Sequence, residues 1–314
     1  MPKYLRIIVL AAFIAAFLSV TASADFMVKT TTTMSGIPMM GNFTMQQTYF
    51  ITGDQLAFAM AMDNPMMGQS GGMHVKYIIR DGGNEMLVIN YSDSTYSIFD
   101  KKLLDSLTTA VMTEMDKALD SLKTAMTIDK MEMSMTGNKK KVMELEAEEL
   151  MVDMKMKMNM SMMGPQPMPM TITVTGSQWG TRQFAEHEFY DKAMEEFSSI
   201  FMSGGQSGFG GIMKFFEKLG MEKGAVEEMT KFSGLVVLEG DMNISMEMVL
   251  PDMEEEEMAD MPGMTFNMNM STAPVEVTKD NIPKSEFEIP KGFEQVEGAA
   301  NFMGGEFGFP GFGQ

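Results

Sequence analysis

Asp153-Met154-Lys155-Met156-Lys157-Met158-Asn159-Met160-Ser161-Met162 places a thioether at every second position and a polar side chain between each pair. A period of two belongs to a strand, in which successive side chains point to opposite faces. All five methionines then share one face and the polar residues share the other, as a sheet with one solvated face requires. Met131, Met133 and Met135 repeat the pattern upstream, and Gly164-Pro165-Gln166-Pro167 marks a turn into a returning strand over 168–175. Two later runs, 241–250 and 264–271, are of the same kind, with Phe266, Met268 and Met270 alternating with Asn267 and Asn269. The acidic stretch 252–260 between them reads as a solvated hairpin loop.

Residues 25–100 carry the same period in shorter pieces. Leu56, Phe58, Met60 and Met62 alternate with Ala57, Ala59 and Ala61, which puts large residues on one face and small ones on the other. Similar runs occupy 26–34, 43–51, 75–80, 85–91 and 95–99, with Gly53-Asp54, Asp81-Gly82-Gly83-Asn84 and Ser92-Asp93-Ser94 as turn signals. The segment reads as an antiparallel meander with a longer Gly/Met loop over 64–72. The period then changes. Leu103, Leu104, Leu107, Val111, Met115, Leu119, Leu122 and Met126 recur at spacings of three and four, which predicts an amphipathic helix over 102–126 whose stripe covers the preceding sheet. Further helical patterns lie at 189–202 and 211–232, separated by the Gly/Ser-rich 203–210.

Lys3 and Arg6, the apolar run 7–18 and Ala22-Ser23-Ala24 are the three parts of a cleavable secretory signal over 1–24, in order. The apolar run is shorter than the roughly 20 residues of a membrane-spanning helix, so no membrane anchor is expected after cleavage. Removing Lys3 and Arg6 takes the formal charge from −19 to −21, which argues against nucleic acid, whose phosphates demand basic surfaces. The chain has no cysteine, so disulfides, thiolate metal sites and a lipoprotein's acylated cysteine are excluded. A soluble, monomeric, periplasmic or secreted protein is expected, with one domain over 25–297 and a flexible Gly/Phe tail over 298–314.

The chain holds 43 methionines, as many as Asp and Glu together. Methionine is unbranched and polarizable, fills irregular apolar space and suits surfaces that accept several shapes. Three readings follow. Methionine is simply the inward apolar residue of a filled core in a structural envelope protein; or it lines a plastic cavity for a lipid or another apolar molecule; or its thioethers bind Cu(I) or absorb oxidants. For the cavity the candidate residues are Phe58, Met60, Met133, Met156, Met158, Met160, Met246 and Met268. For copper they are the residues a core explains least, Met66, Met67 and Met73 in or beside a loop and the proline-flanked Met168 and Met170. His74 and the Glu186-His187-Glu188 run are the only histidine positions, and neighbours on a strand diverge, which disfavours a metal role. No protease, hydrolase, P-loop or dinucleotide signature is present, so neither catalysis nor a cofactor is expected.

The closing Ile282-Pro283-Lys284-Ser285-Glu286-Phe287-Glu288-Ile289-Pro290-Lys291-Gly292-Phe293, with its F-x-I-P-x-G-F ending, resembles an uncharacterised family of bacterial envelope domains of unknown function, similar in turn to the LolA/LolB lipoprotein carriers. Residues 91–102 and Trp179 with Thr181 add to the resemblance. It implies an α+β fold: a strongly curved antiparallel sheet, a LolA-like half-barrel, covered by amphipathic helices and holding an acyl chain between sheet and helices. The methionine load departs from that family.

Overall fold

The alternating runs are strands in the computed structural model, which describes residues 25–37, 41–63, 73–104, 106, 109, 126–160, 168–184, 235–248, 264–279 and 282–297. Six strands form the expected first meander: β1 (Phe26–Ile37), β2 (Gly41–Thr52), β3 (Gln55–Asp63), β4 (Met73–Arg80), β5 (Glu85–Asn90) and β6 (Thr95–Asp100). Five longer ones form a second: β7 (Met126–Val142), β8 (Leu145–Met160), β9 (Met168–Thr181), β10 (Val236–Met248) and β11 (Met264–Lys279). A two-residue β12 (Glu294–Gln295) lies parallel to β6. Among the described residues all twelve make one open sheet, in the order β12-β6-β5-β4-β3-β2-β1-β11-β10-β9-β8-β7. The antiparallel β1–β11 ladder joins the two meanders.

This architecture corrects the α+β expectation of a sheet covered by amphipathic helices. Of the described residues 77% are strand and 8% helical, and no amphipathic helix covers the sheet among them. Helical backbone follows β6 at 101–104, where the Asp100 carboxylate accepts a hydrogen bond from the Leu103 amide at 2.8 Å and caps the turn. Met126, expected to end the helix, begins β7. Most of 105–125, and the helical patterns at 189–202 and 211–232, lie outside the described residues, as does the signal 1–24. The physical reason for the correction is that a three-to-four stripe reports only that a segment has an apolar side. It does not identify what covers a given sheet face, and the described cover is a C-terminal segment with one short 3-10 turn, Lys284–Phe287.

The strand register separates two faces. On the first, directly paired residues form cross-strand rows such as Phe26–Ile51–Leu56–Ile79–Met86–Phe99 and Val28–Tyr49–Phe58–Tyr77–Val88. Val28, Ile51, Leu56, Ile79, Met86, Val88 and Phe99 are buried there. Phe184, just after β9, packs its ring 5.7 Å from Phe26 and 6.3 Å from Tyr49, crossing toward strands far from its own. Burial pushes the phenols of Tyr49 and Tyr77 up to about 12.

On the second face, Phe50, Ala57, Ile78, Leu87 and Ile89 are covered by the C-terminal segment 282–296, which acts as a strap. Ile282 and Phe287 of the strap are buried against the sheet, each stabilising by roughly 2 kcal/mol, and Phe293 sets its ring edge-on to Tyr91 at 5.4 Å. The Ile-Pro and Gly-Phe residues of the F-x-I-P-x-G-F ending are the packing and turn residues of this strap. Beneath it sits Lys76, 4% exposed, with its ammonium 4.6 Å from the Phe50 ring centroid and ion-paired to Glu286 of the strap.

Three ladders are irregular in the second meander and at its junction: β1–β11 at Lys29/Thr30, β9–β10 at Val237/Glu239 and β7–β8 between Met135 and Lys139. Bulges bend a strand and increase its twist. The buried phase of β8 changes there, from Leu145 and Ala147 to Leu150 and Val152. The sheet is consequently not flat. The Lys279 ammonium of β11 donates to the Glu144 carbonyl beside β8 at 3.4 Å, although β10 and β9 lie between and a flat sheet would separate those strands by roughly 14 Å.

Breaking the strap's ion pair tests this cover. Glu286→Gln leaves a buried ammonium without its counter-charge, and because the acid is partly solvated the expected loss is about 2 kcal/mol of unfolding free energy. Urea midpoints measure it; pairing the change with Lys76→Met should recover most of the loss.

Candidate functional site

The first face continues through the second meander as a field of thioethers. Pairing in register gives the rows Met126–Met158–Met170–Met248–Met264, Ile128–Met156–Ile172–Met246–Phe266 and Met131–Met154–Val174–Ile244–Met268 across β7, β8, β9, β10 and β11. The next row runs Met133–Val152–Gly176–Met242–Met270 and crosses into the first meander at Met34–Phe43. Leu150, Val152 and Val174 are buried at the centre of this field, with Met131, Met133, Met135, Met154, Ile172, Met242 and Ile244 packed against them. Gly176 has a structural reason to be glycine, since a Cβ there would sit 2.2 Å from the Asp241 carbonyl oxygen. The missing side chain lets the β10 backbone approach closely between Val152 and Met242.

Seven of the eight residues read from the sequence as candidate ligand contacts fall on this face, and Met160 is located by its backbone pairing alone. Met133, Met156, Met158, Met246 and Met268 lie in the rows above, and Met160 pairs with Met168 one step further. Phe58 and Met60 lie on β3, on the other side of β1 and β2 from the thioether field, and Phe58 sits in an aromatic ladder with Tyr49 at 4.9 Å and Tyr77 at 6.3 Å. Of the copper candidates on described strands, Met73 is not brought to Met168 and Met170. Met66 and Met67 lie outside the described residues, Met73 pairs with Met62 on β3, and five strands separate β4 from the β9 that carries Met168 and Met170. Met170 is buried at 9% exposure and pairs with Met158 and Met248.

His74 does not join a metal cluster: its ring stacks on Tyr91 at 4.2 Å, and burial, then the nearby Lys76, hold its imidazole below its ordinary value. His187 lies outside the described residues, and among those described no group of three His, Cys, Asp or Glu could hold an ion.

Sequence reasoning missed the polar corner at the bend. Lys140 of β7 places its ammonium 4.1 Å from the Trp179 ring centroid and pairs with Glu239 of β10. With Ser177, Asp241 and Pro274 these line an open cavity of about 310 Å³. Beside it Glu148 accepts hydrogen bonds from Lys139 at 2.8 Å and Arg182 at 3.3 Å. The signal was present in the basic Lys139-Lys140-Lys141 run and the acidic Glu146 and Glu148, which pair with Lys141 and Lys139 across the β7–β8 hairpin.

No family model and no curated protein matches the chain. Among solved structures, a DUF1329 family protein from Desulfovibrio piger is similar at 7% identity and a TM-score of 0.24, over 88% of this chain and 93% of that one. A protein described as PNGF-II is similar at 8% identity and a TM-score of 0.23, over 87% of this chain and 32% of its own length. The first is, like the family the strap motif resembles, a domain known by number alone; neither is described as a LolA- or LolB-type carrier, and likenesses at this level carry no argument about the site.

The polar corner has a pH signature. The Lys139 hydrogen bond first, and Arg182 after it, hold the Glu148 carboxyl below the usual carboxylate range against the opposing effect of burial. As pH falls the unfolded chain therefore takes up this proton before the folded one, so the contribution to stability is complete above the ordinary carboxylate pKa and is lost as pH drops through the lower folded value. The stability difference between the protein and Glu148→Gln should shrink as pH falls from about 6 to about 3, measured by urea unfolding at each pH. A constant difference would show that the carboxyl is not held by these cations.

Proposed function

We propose that this is an exported, monomeric, non-enzymatic protein that binds or carries an apolar molecule, a lipid or acyl chain, on the thioether face of its sheet. One observation carries the reading: the register collects Met133, Met156, Met158, Met246 and Met268 with Met131, Met154, Met242 and Met248 on a single face spanning five strands. Unbranched thioether side chains change rotamer at low cost, so a surface built from them adapts to chains of different length and shape. The composition of the face agrees with an apolar occupant, because the rows nearest its outer end contain no charged side chain. The export signal and the absence of cysteine support a free carrier over an anchored one.

Native mass spectrometry of the protein gently purified from its host, together with titration by a fluorescent fatty acid, tests the proposal. Saturable uptake is expected, falling at least tenfold in Met246→Asp, which places a charge in the apolar field, and unchanged in Met151→Asp on the opposite, exposed side. Repeated absence of any co-purifying lipid, with no probe uptake, would sink it.

A further inference from the structure

The apolar residues of the first face change character along the strands. In the rows at the Phe26 end they are Val28, Ile51, Leu56, Ile79, Val88 and Phe99, with Met86 as the single methionine. At the opposite end, in the row through Met170, every position across five adjacent strands is methionine. Strand positions that only need apolar bulk favour β-branched and aromatic residues, as the Phe26 end shows, and Met is not among them. A uniform thioether row on a sheet that elsewhere obeys this preference calls for the sulfur itself.

We propose that Met158, Met170 and Met248, on β8, β9 and β10, form a Cu(I) site. Directly paired residues on neighbouring strands hold their Cβ atoms roughly 5 Å apart, so the central Met170 has one thioether on either side, and two long flexible side chains leaning inward bring three sulfurs to one point above β9. The adjacent row, Met156–Ile172–Met246, supplies no oxygen or nitrogen side-chain donor. Among the described residues this side of the site therefore offers nothing to hard cations, which need oxygen ligands, while thioethers select the soft monovalent ion. Met170 is the most buried of the three, which places the central thioether within the apolar field. Thioethers carry no proton, so binding neither displaces one nor depends on protonation, unlike a histidine or thiolate site.

The test is anaerobic Cu(I) competition against a colorimetric chelator, with X-ray absorption of the loaded full-length protein. One Cu(I) per chain is expected, with a sulfur-only first shell and an affinity unchanged between about pH 5 and 8. Each of Met158→Leu, Met170→Leu and Met248→Leu should weaken binding by more than the roughly tenfold that loss of even an outer-shell partner costs. Leucine conserves volume, so the variants keep their fold, which circular dichroism checks. Met131→Leu with Met154→Leu, two rows away, should bind as the parent does. Nitrogen or oxygen ligation, a pH-dependent affinity, or undiminished uptake in the triple leucine variant would overturn the site. Fatty-acid uptake by the copper-free parent protein is read without reference to this site, and Cu(I) uptake is read without lipid, so failure of this site and failure of the carrier reading are separable.

Discussion

The pairing of β1 with β11 is the constraint on which the rest of the sheet depends. It brings Thr32 onto Thr272, whose hydroxyls share a buried hydrogen bond of 2.9 Å across 240 residues of sequence. Without this ladder the described sheet is two meanders, each with a further edge of unpaired backbone at β1 or β11. With it, the thioether face of β7 to β11 becomes continuous with the aromatic and aliphatic face of β1 to β6. The register matters as much as the pairing, because a slip of one residue along β1 would turn every methionine of one half to the other side. The bulge at Val275 falls within this ladder, and Val277 meets Val28 beyond it as Thr272 meets Thr32 before it. Closing so long a loop costs little more entropy than closing one half its length, but it must be closed before the contacts reward it, which makes this junction a late event in folding.

The two outer edges of the sheet are managed differently. At β6 the strap adds β12 in parallel, with amides of Glu294 and Val296 donating to carbonyls of Ser94 and Tyr96. The strap is held from within by Lys76, a cation buried against Phe50 and balanced by Glu286, so the most buried charge on the described surface of this sheet also anchors its cover. At β7, Lys130, Lys139, Lys140 and Lys141 line the edge strand, a placement of lysine that discourages pairing with another chain. Three of these lysines also form ion pairs inward, to Asp153, Glu148 and Glu239, so the same residues protect the edge and tie the bent corner together.

The two functional proposals draw on different properties of one residue type. Apolar binding uses the flexibility of methionine over the whole field, whereas Cu(I) binding uses its sulfur at one row. They coexist on the face because the row through Met170 lies at its outer end, several residue steps from the buried Leu150, Val152 and Val174. A face of neutral donors can serve either ligand without changing its charge.

Much of the fold was legible in the chain. Leu56 to Met62 against the intervening alanines, and Met154 to Met160 against lysine and asparagine, declare strands and assign each side chain to a face, because a period of two leaves no other reading. The stretch 136–150 was not legible. It lacks apolar alternation near Lys139-Lys140-Lys141, and its strand is specified instead by charge pairs with the facing glutamates, which appear only once the hairpin is closed. The strap was visible as a motif and silent as to its role, since nothing in Phe287 or Ile289 names Phe50 or Ile89 as the surface beneath. The sequence by itself thus determined which side chains stand together along each strand. Which strands are neighbours beyond a single hairpin, and so which methionines share a row, was decided only by the tertiary structure, because Met170 of β9 meets Met248 of β10 and Met34 of β1 meets Met270 of β11 across stretches of sequence over which local period carries no information.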